Sequence, residues 1–72
     1  MPYASNGDLP PAIRAHLPEH AQDIYRSAFN GAWKTYGNRA PHAREEIAHR
    51  VAWAAVKRRY RKVADEWIPI AS

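Results

Sequence analysis

Prolines and glycines divide this short chain into segments, and they constrain its fold more than any other feature. There are six prolines and three glycines among 72 residues. Pro10 and Pro11 suit the start of a helix, because the first helical positions do not need their N–H groups. Pro18 ends that helix and can open the next one, since the residue before a proline avoids the helical region. Gly37 is typical of a left-handed helix cap, and Pro41 can begin a third helix.

The apolar pattern between these breaks predicts three helices, at about residues 11–16, 19–36 and 41–61. The first has one apolar stripe, formed by Leu9, Ile13 and Leu17. The second has the clearest pattern, because its apolar positions follow one another in steps of one or three. Those positions are Ala21, Ile24, Tyr25, Ala28, Phe29, Ala32, Trp33 and Tyr36. Gly31 lies within this helix, where it could allow a close crossing with another helix.

The third helix carries apolar residues on two faces, so we expect it to be buried on two sides. One face is marked by Ile47, Val51, Ala54, Ala55 and Arg58, and the other by Trp53, Val56 and Tyr60. Across the whole chain, the predicted core consists of Ile24, Tyr25, Phe29, Trp33, Tyr36, Val51, Trp53, Val56, Tyr60 and Trp67.

The two terminal segments have no helical period and are expected to be extended. Met1-Pro2-Tyr3 at one end, and Trp67 and Ile68 before Pro69 at the other, could pair as strands. The predicted fold is therefore mainly α, with three helices packed against a small two- or three-stranded sheet from the terminal segments. A chain of this length forms one domain at most, which we place at residues 1–72.

Composition excludes several classes of function. The chain has no cysteine, so it can form neither a disulfide nor a thiolate metal site, and a reducing compartment, the cytoplasm, is favoured. The sequence contains no apolar run of the ~20 residues that a transmembrane helix requires. A net charge of +4 and a pI of about 9.9 favour acidic partners, either nucleic acid, anionic lipid or protein.

Catalytic and metal-binding patterns are weak. His42, Glu46 and His49 follow the spacing i, i+4, i+7 and could hold a zinc ion, but Glu46 is equally well placed to pair with Arg50. We prefer a solvated polar face there and predict no metal site and no cofactor. The serines have no accompanying histidine and carboxylate, and the glycines form no phosphate loop, so we predict that the protein is not an enzyme.

The densest charge feature is a basic run near the end of the third helix. It comprises Lys57, Arg58, Arg59, Arg61 and Lys62. These cations could contact a partner or the phosphates of a nucleic acid, with Tyr60 stacking on a base. Alternatively, they complement the helix dipole on a solvated helix end, with Tyr60 in the core. The second interpretation is favoured, and the first remains open.

Two long blocks of the chain resemble the ChaB family. The first is L-P-E-H-A-Q-D-I-Y-R-S-A-F-N-G-A-W at 17–33, and the second is R-E-E-I-A-H-R-V-A-W-A-A-V-K at 44–57. Met1-Pro2-Tyr3, Asp8-Leu9-Pro10, Tyr60 and Trp67 also match, so the resemblance spans nearly the whole chain.

The resemblance implies three helices and a small sheet, with packing likened to a cyclin box. It also implies a small bacterial protein that regulates a calcium or sodium/proton antiporter, by association with the ChaA transporter. It transfers no catalytic residue. We expect a monomer whose partner is such an antiporter, with nucleic acid as the alternative.

Overall fold

The computed structural model describes residues 2–70, which form three helices followed by a β-hairpin. Helix α1 spans Pro11–His16, α2 spans Glu19–Thr35 and α3 spans Pro41–Arg59. Strands β1 (Tyr60–Val63) and β2 (Glu66–Pro69) complete the fold, and a short 3₁₀ turn at Asn6–Asp8 precedes α1. The prediction of a mainly helical fold with a small sheet is confirmed.

Helices α2 and α3 pack along their length and form most of the core. Helix α2 contributes Tyr25 and Phe29, which are completely buried. Helix α3 contributes Ala48 and Ala52, which are also completely buried. Their small side chains leave room for the two aromatic rings. Leu9, Ile13 and Leu17, the predicted apolar stripe of the first helix, close one end of this core and are buried as expected.

One residue of the predicted core lies outside it. Val51 is 37% exposed, because the buried stripe of α3 runs through Ala48, Ala52 and Val56 at intervals of four residues. Adjacent residues on a helix differ by about 100° in direction, so Val51 points away from α2. The expected burial of Val51 was therefore wrong. The remaining predicted core residues are buried or pack half-buried against the core.

The sheet differs from the expectation in the origin of its strands. Both strands come from the C-terminal part of the chain and pair antiparallel, with Tyr60 opposite Pro69 and Val63 opposite Glu66. Helix α3 consequently ends at Arg59, two residues earlier than predicted. Tyr60 begins β1 yet remains buried, and the backbone N–H of Ile70 donates to the carbonyl of Arg59.

The N-terminal segment pairs with a side chain and not with the other terminus. The Tyr3 N–H donates to Oδ1 of Asn30 at 2.8 Å, and Nδ2 of Asn30 donates to the Tyr3 carbonyl at 2.8 Å. The amide of Asn30 thus replaces a neighbouring strand, so the predicted pairing of the two termini was wrong. Met1, which belongs to the same prediction, lies outside the described residues.

Two glycines behave differently from the expectation. Gly37 does not have a positive φ, so the helix end at Tyr36 uses no left-handed cap there. Gly31 is exposed, and a Cβ at this position would have no neighbour within 4 Å among the residues that the structure describes. Gly31 therefore does not mark a close helix crossing.

Candidate binding groove

A groove of about 430 Å³ lies between α1, α3 and the β-hairpin. Two tryptophans form its floor: Trp53 of α3 and Trp67 of β2, whose ring centroids are 5.5 Å apart. Both indoles are half-buried. The other lining residues are Ala12, Ile13 and His16 from α1, and Lys57 and Lys62. The groove is thus apolar at its base and carries two ammonium groups.

Helix and strand geometry place a lysine beside each tryptophan. Trp53 and Lys57 are four residues apart on α3 and therefore occupy the same face, one turn apart. Lys62 of β1 lies directly opposite Trp67 of β2. Opposed residues in an antiparallel pair project from the same face of the sheet. The hairpin brings the second lysine and the second indole to the groove together.

The apolar surface continues from the groove along α3. A neighbouring hollow of about 510 Å³ shares Trp53 and Lys57 with the groove and extends to Ala54 and His49. Glu46 and Arg50 at its far end form an ion pair of 2.9 Å. This pair neutralises its own charges, so Lys57 is the cation that remains available in the shared region.

The predicted basic run is distributed over different surfaces. Its five members are all exposed. Arg58 and Arg59 line a separate hollow of about 350 Å³ with His20 and Ile24. Arg61 is adjacent to Lys62 on β1, and neighbouring strand residues point to opposite faces. Of the five cations, Lys57 and Lys62 are the two that line the tryptophan groove.

A buried phenol and a histidine form a polar contact between α2 and α3. The hydroxyl of Tyr25 is hydrogen-bonded to Nδ1 of His49, and Nε2 of His49 lies 3.7 Å from a carboxylate oxygen of Glu45. Burial, and to a smaller extent the nearby Tyr3 phenol, raises the pKa of Tyr25 well above its ordinary value of 10.0. Burial and then the Glu45 carboxylate raise the pKa of Tyr3. Burial thus favours the neutral forms of both phenols.

Two of the three residues considered for a metal site, Glu46 and His49, are engaged in other contacts. His49 contacts Tyr25 and Glu45, and Glu46 pairs with Arg50, which was the alternative interpretation of this spacing. Within residues 2–70, no group of three or more histidine, aspartate or glutamate side chains is arranged to hold a metal ion. His16 is hydrogen-bonded through Nδ1 to the carbonyl of Ala12, 2.7 Å away. Between residues 2 and 70, no helix is long and apolar enough to cross a membrane.

The apolar periodicity of the sequence places both groove tryptophans in the core and does not indicate a groove. Periodicity places Trp53 on an apolar face of α3. How much of its ring is exposed depends on how much of that face the hairpin covers. The hairpin itself has a two-residue loop of Ala64 and Asp65. This pair lacks the Asn-Gly or Asp-Gly signature of tight hairpin turns, so the local signal for an extended segment is Pro69, which disfavours the helical conformation at Ile68.

Comparison with known proteins identifies the family. The ChaB family model matches residues 9–69. The chain belongs to the ChaB family. It is 50% identical over 70 residues to proteins named "Putative cation transport regulator ChaB" from Escherichia coli K12 and Shigella flexneri, and the match covers 92% of each chain. The NMR solution structure of a ChaB protein with this same name superposes with a TM-score of 0.87 at 48% identity, covering 97% of this chain and 100% of that one.

Several polar residues of the two ChaB blocks make contacts that hold segments of the fold together. In the first block, Arg26 donates from Nε to Oδ1 of Asn6 at 2.8 Å, and Asn30 holds Tyr3. In the second block, Arg44 donates from Nε to the carbonyl of Trp33, and its guanidinium lies 4.1 Å from the centroid of that indole. These contacts attach the N-terminal segment to α2 and the start of α3 to the end of α2. The ChaB resemblance thus identifies the fold through residues that hold the fold together.

Proposed function

We propose that this protein is a non-enzymatic regulator of cation transport that acts by binding a transport protein from the cytoplasmic side. The observation that carries the proposal is the near-full-length match to relatives that are named as regulators of cation transport. By the same resemblance, the transport protein is a calcium or sodium/proton antiporter. A regulator needs a surface that can recognise a partner, and the tryptophan groove supplies half-exposed aromatic rings of the kind that anchor protein interfaces.

The proposal is tested in the native cell by deleting the gene and measuring growth at raised calcium and raised sodium. We expect tolerance of at least one of these ions to change, and a plasmid copy to restore it. Cation/proton exchange in everted membrane vesicles, with and without the purified protein, reports on the transporter directly. Unchanged ion tolerance together with unchanged exchange would rule out a role in cation transport.

A nucleic-acid-binding accessory module is the second candidate. It is favoured by the exposure of all five cations of the basic run and by the net charge of +4. Binding to DNA or RNA should then weaken steeply with salt, because cations released from the phosphates drive such complexes. Replacing Arg58, Arg59 and Arg61 with glutamate should abolish it. If the protein does not retard DNA or RNA in gel electrophoresis at low salt, this second candidate function is wrong.

A further inference from the structure

The tryptophan groove combines an aromatic floor with a positively charged rim. Trp53 and Trp67 expose part of their indoles on the floor, and Lys57 and Lys62 are exposed beside them. Among the described residues, no carboxylate side chain lines this groove. We propose that the groove binds an acidic peptide segment of a partner protein. One aromatic or aliphatic side chain of that segment enters the groove, and neighbouring Asp or Glu residues face the two lysines.

The size and the lining of the groove suit a peptide anchor. A volume of about 430 Å³ lies within the range of ~300–1,000 Å³ that is common for ligand sites. The two indoles, 5.5 Å apart, form a continuous apolar surface against which a large side chain can bury its own apolar area. Aromatic residues with a polar surround are the usual centres of binding energy in protein interfaces.

The positions of the two lysines favour negative charge on the bound peptide segment. Lys62 faces the same side of the hairpin as Trp67, and Lys57 lies one helical turn from Trp53. Each indole therefore has one ammonium group next to it, so an apolar anchor flanked by carboxylates matches the groove. The hollow that continues along α3 shares Trp53 and Lys57, and it gives the segment a path beyond the anchor.

The distribution of the remaining cations favours a peptide over a nucleic acid. A single-stranded nucleic acid needs a basic track that follows its backbone. Here Arg58 and Arg59 line a different hollow, and Arg61 points to the opposite face of β1 from Lys62. The groove therefore offers two ammonium groups beside an apolar floor and not a track of phosphate contacts. The inference rests on the proposed function, since it gives the chemistry of the partner segment.

The test uses the full chain and a short fluorescein-labelled peptide in which glutamates flank a Phe-Leu pair. We expect saturable binding in fluorescence anisotropy and a change in tryptophan emission on binding. The double variant K57E/K62E should bind at least about tenfold more weakly, because two attractions become repulsions. Both lysines are exposed, so circular dichroism should show that the variant stays folded.

A matched variant separates the groove from general charge attraction. R58E/R59E makes the same change in net charge at exposed positions that line the other hollow. Its affinity for the peptide should fall by less than about threefold, because Arg58 and Arg59 line the other hollow and do not contact a segment bound in the groove. Replacing Phe-Leu in the peptide by Ala-Ala, or its glutamates by lysines, should remove binding. Equal losses in the two double variants would overturn the proposal.

Two other probes cover the competing partners. Oligothymidylate stands for a single-stranded nucleic acid, and phosphatidylglycerol vesicles stand for an anionic membrane. If either binds through Lys57 and Lys62 while the acidic peptide does not bind, the groove has a different ligand and the proposal is wrong.

The deletion strain distinguishes this inference from the proposed function. If the unaltered gene and K57E/K62E restore ion tolerance equally, regulation stands and the groove is not the site that performs it. If the unaltered gene has no effect on ion tolerance but the peptide binds the groove, the inference stands and the proposed function fails. Restoration by R58E/R59E but not by K57E/K62E supports both.

Discussion

Tyr25 illustrates how a single polar atom is accommodated in a small core. Its ring is completely buried between α2 and α3, and its hydroxyl is hydrogen-bonded to His49. A buried hydroxyl without a partner would cost about 1–3 kcal/mol, so His49 stabilises the pairing of the two helices by meeting this requirement. The same burial keeps the phenol neutral, which makes the stability of the fold depend on pH in the alkaline range.

We predict that Tyr25→Phe reduces this alkaline sensitivity. Above the ordinary phenol pKa of 10.0 the unfolded chain releases the Tyr25 proton, whereas the folded chain retains it because its pKa is raised. The free energy of unfolding therefore falls as pH rises through this range, by up to about 1.4 kcal/mol per pH unit for one proton. Below pH 10.0 the phenol is neutral in both states and contributes no pH dependence.

Urea unfolding from neutral pH to about pH 11 measures this effect. The Tyr25→Phe variant should be about 1 kcal/mol less stable at neutral pH, through loss of the hydrogen bond, but should lose stability more slowly above about pH 10. Tyr36→Phe, which removes a half-buried phenol at the end of the same helix, is the control. Parallel loss of stability in the Tyr25→Phe variant and the unaltered protein would contradict the prediction.

At the scale of elements, the β-hairpin depends on an unfavourable backbone conformation. Ala64, the first residue of the two-residue loop, has a φ of 55°. A side chain in this left-handed region costs roughly 1–2 kcal/mol, which glycine avoids. The chain accepts this cost at Ala64 because the hairpin packs Trp67 against Trp53 and keeps Tyr60 in the core.

We predict that Ala64→Gly stabilises the protein by about 0.5 kcal/mol. The relief of strain at Ala64 exceeds the ~0.4–1 kcal/mol by which a glycine increases the entropy of the unfolded chain. The midpoint of denaturant unfolding measures the change. Ala4→Gly, at an exposed position whose φ is not positive, should show only the entropic cost and be destabilising. A lower midpoint for Ala64→Gly would show that the strain is smaller than its φ indicates.

Local patterns predicted the helices well and the hairpin poorly. Tyr60 was expected to be both helical and buried; it is buried, but as the first residue of a strand. The helical period can continue for two residues beyond Arg59 without conflict, because Tyr60 is buried and Arg61 is exposed, as either conformation allows. What ends the helix is the return of Trp67 and Ile68 to pair with this segment, and that pairing is a tertiary contact with no local signal.

The polar contacts between distant segments also have no local signal in the sequence. The sequence around Asn30 does not indicate that its amide hydrogen-bonds to the Tyr3 backbone as a strand would, because Tyr3 is distant in the chain. The groove was missed for a related reason. The apolar period predicts that Trp53 faces inward. It does not predict whether other residues cover the whole indole or leave part of it exposed.

At the scale of the whole molecule, the N-terminal segment is held in place by a few specific bonds. Asn30 makes two hydrogen bonds to the Tyr3 backbone, and the Tyr3 ring lies 4.7 Å from that of Phe29. Arg26 adds a bond to Asn6, whose own amide donates to Asp23. A domain of this size buries only ~60% of its unfolded surface, so such attachments contribute a substantial share of its stability.

We predict that Asn30→Ala detaches this segment and destabilises the fold by about 1–3 kcal/mol, since both partners on Tyr3 lose their bonds. Hydrogen exchange of the Tyr3 amide should approach the rate of an unprotected peptide. Gln22→Ala, which removes a 2.8 Å bond to the Leu17 carbonyl, should leave the Tyr3 amide protected. Continued protection of Tyr3 in the Asn30→Ala variant would mean that packing on Phe29 alone holds the segment.

The neighbouring indoles of Trp53 and Trp67 also give the molecule an internal optical reporter. At a centroid separation of 5.5 Å and a tilt of 32°, their electronic transitions couple and should produce a paired positive and negative band in circular dichroism. The third indole, Trp33, lies under Arg44 and stacks on Phe29, so its spectrum reports on the α2–α3 junction. Undocking of the hairpin would therefore abolish the paired band while the Trp33 signal persisted, which allows local opening of the groove to be followed separately from unfolding.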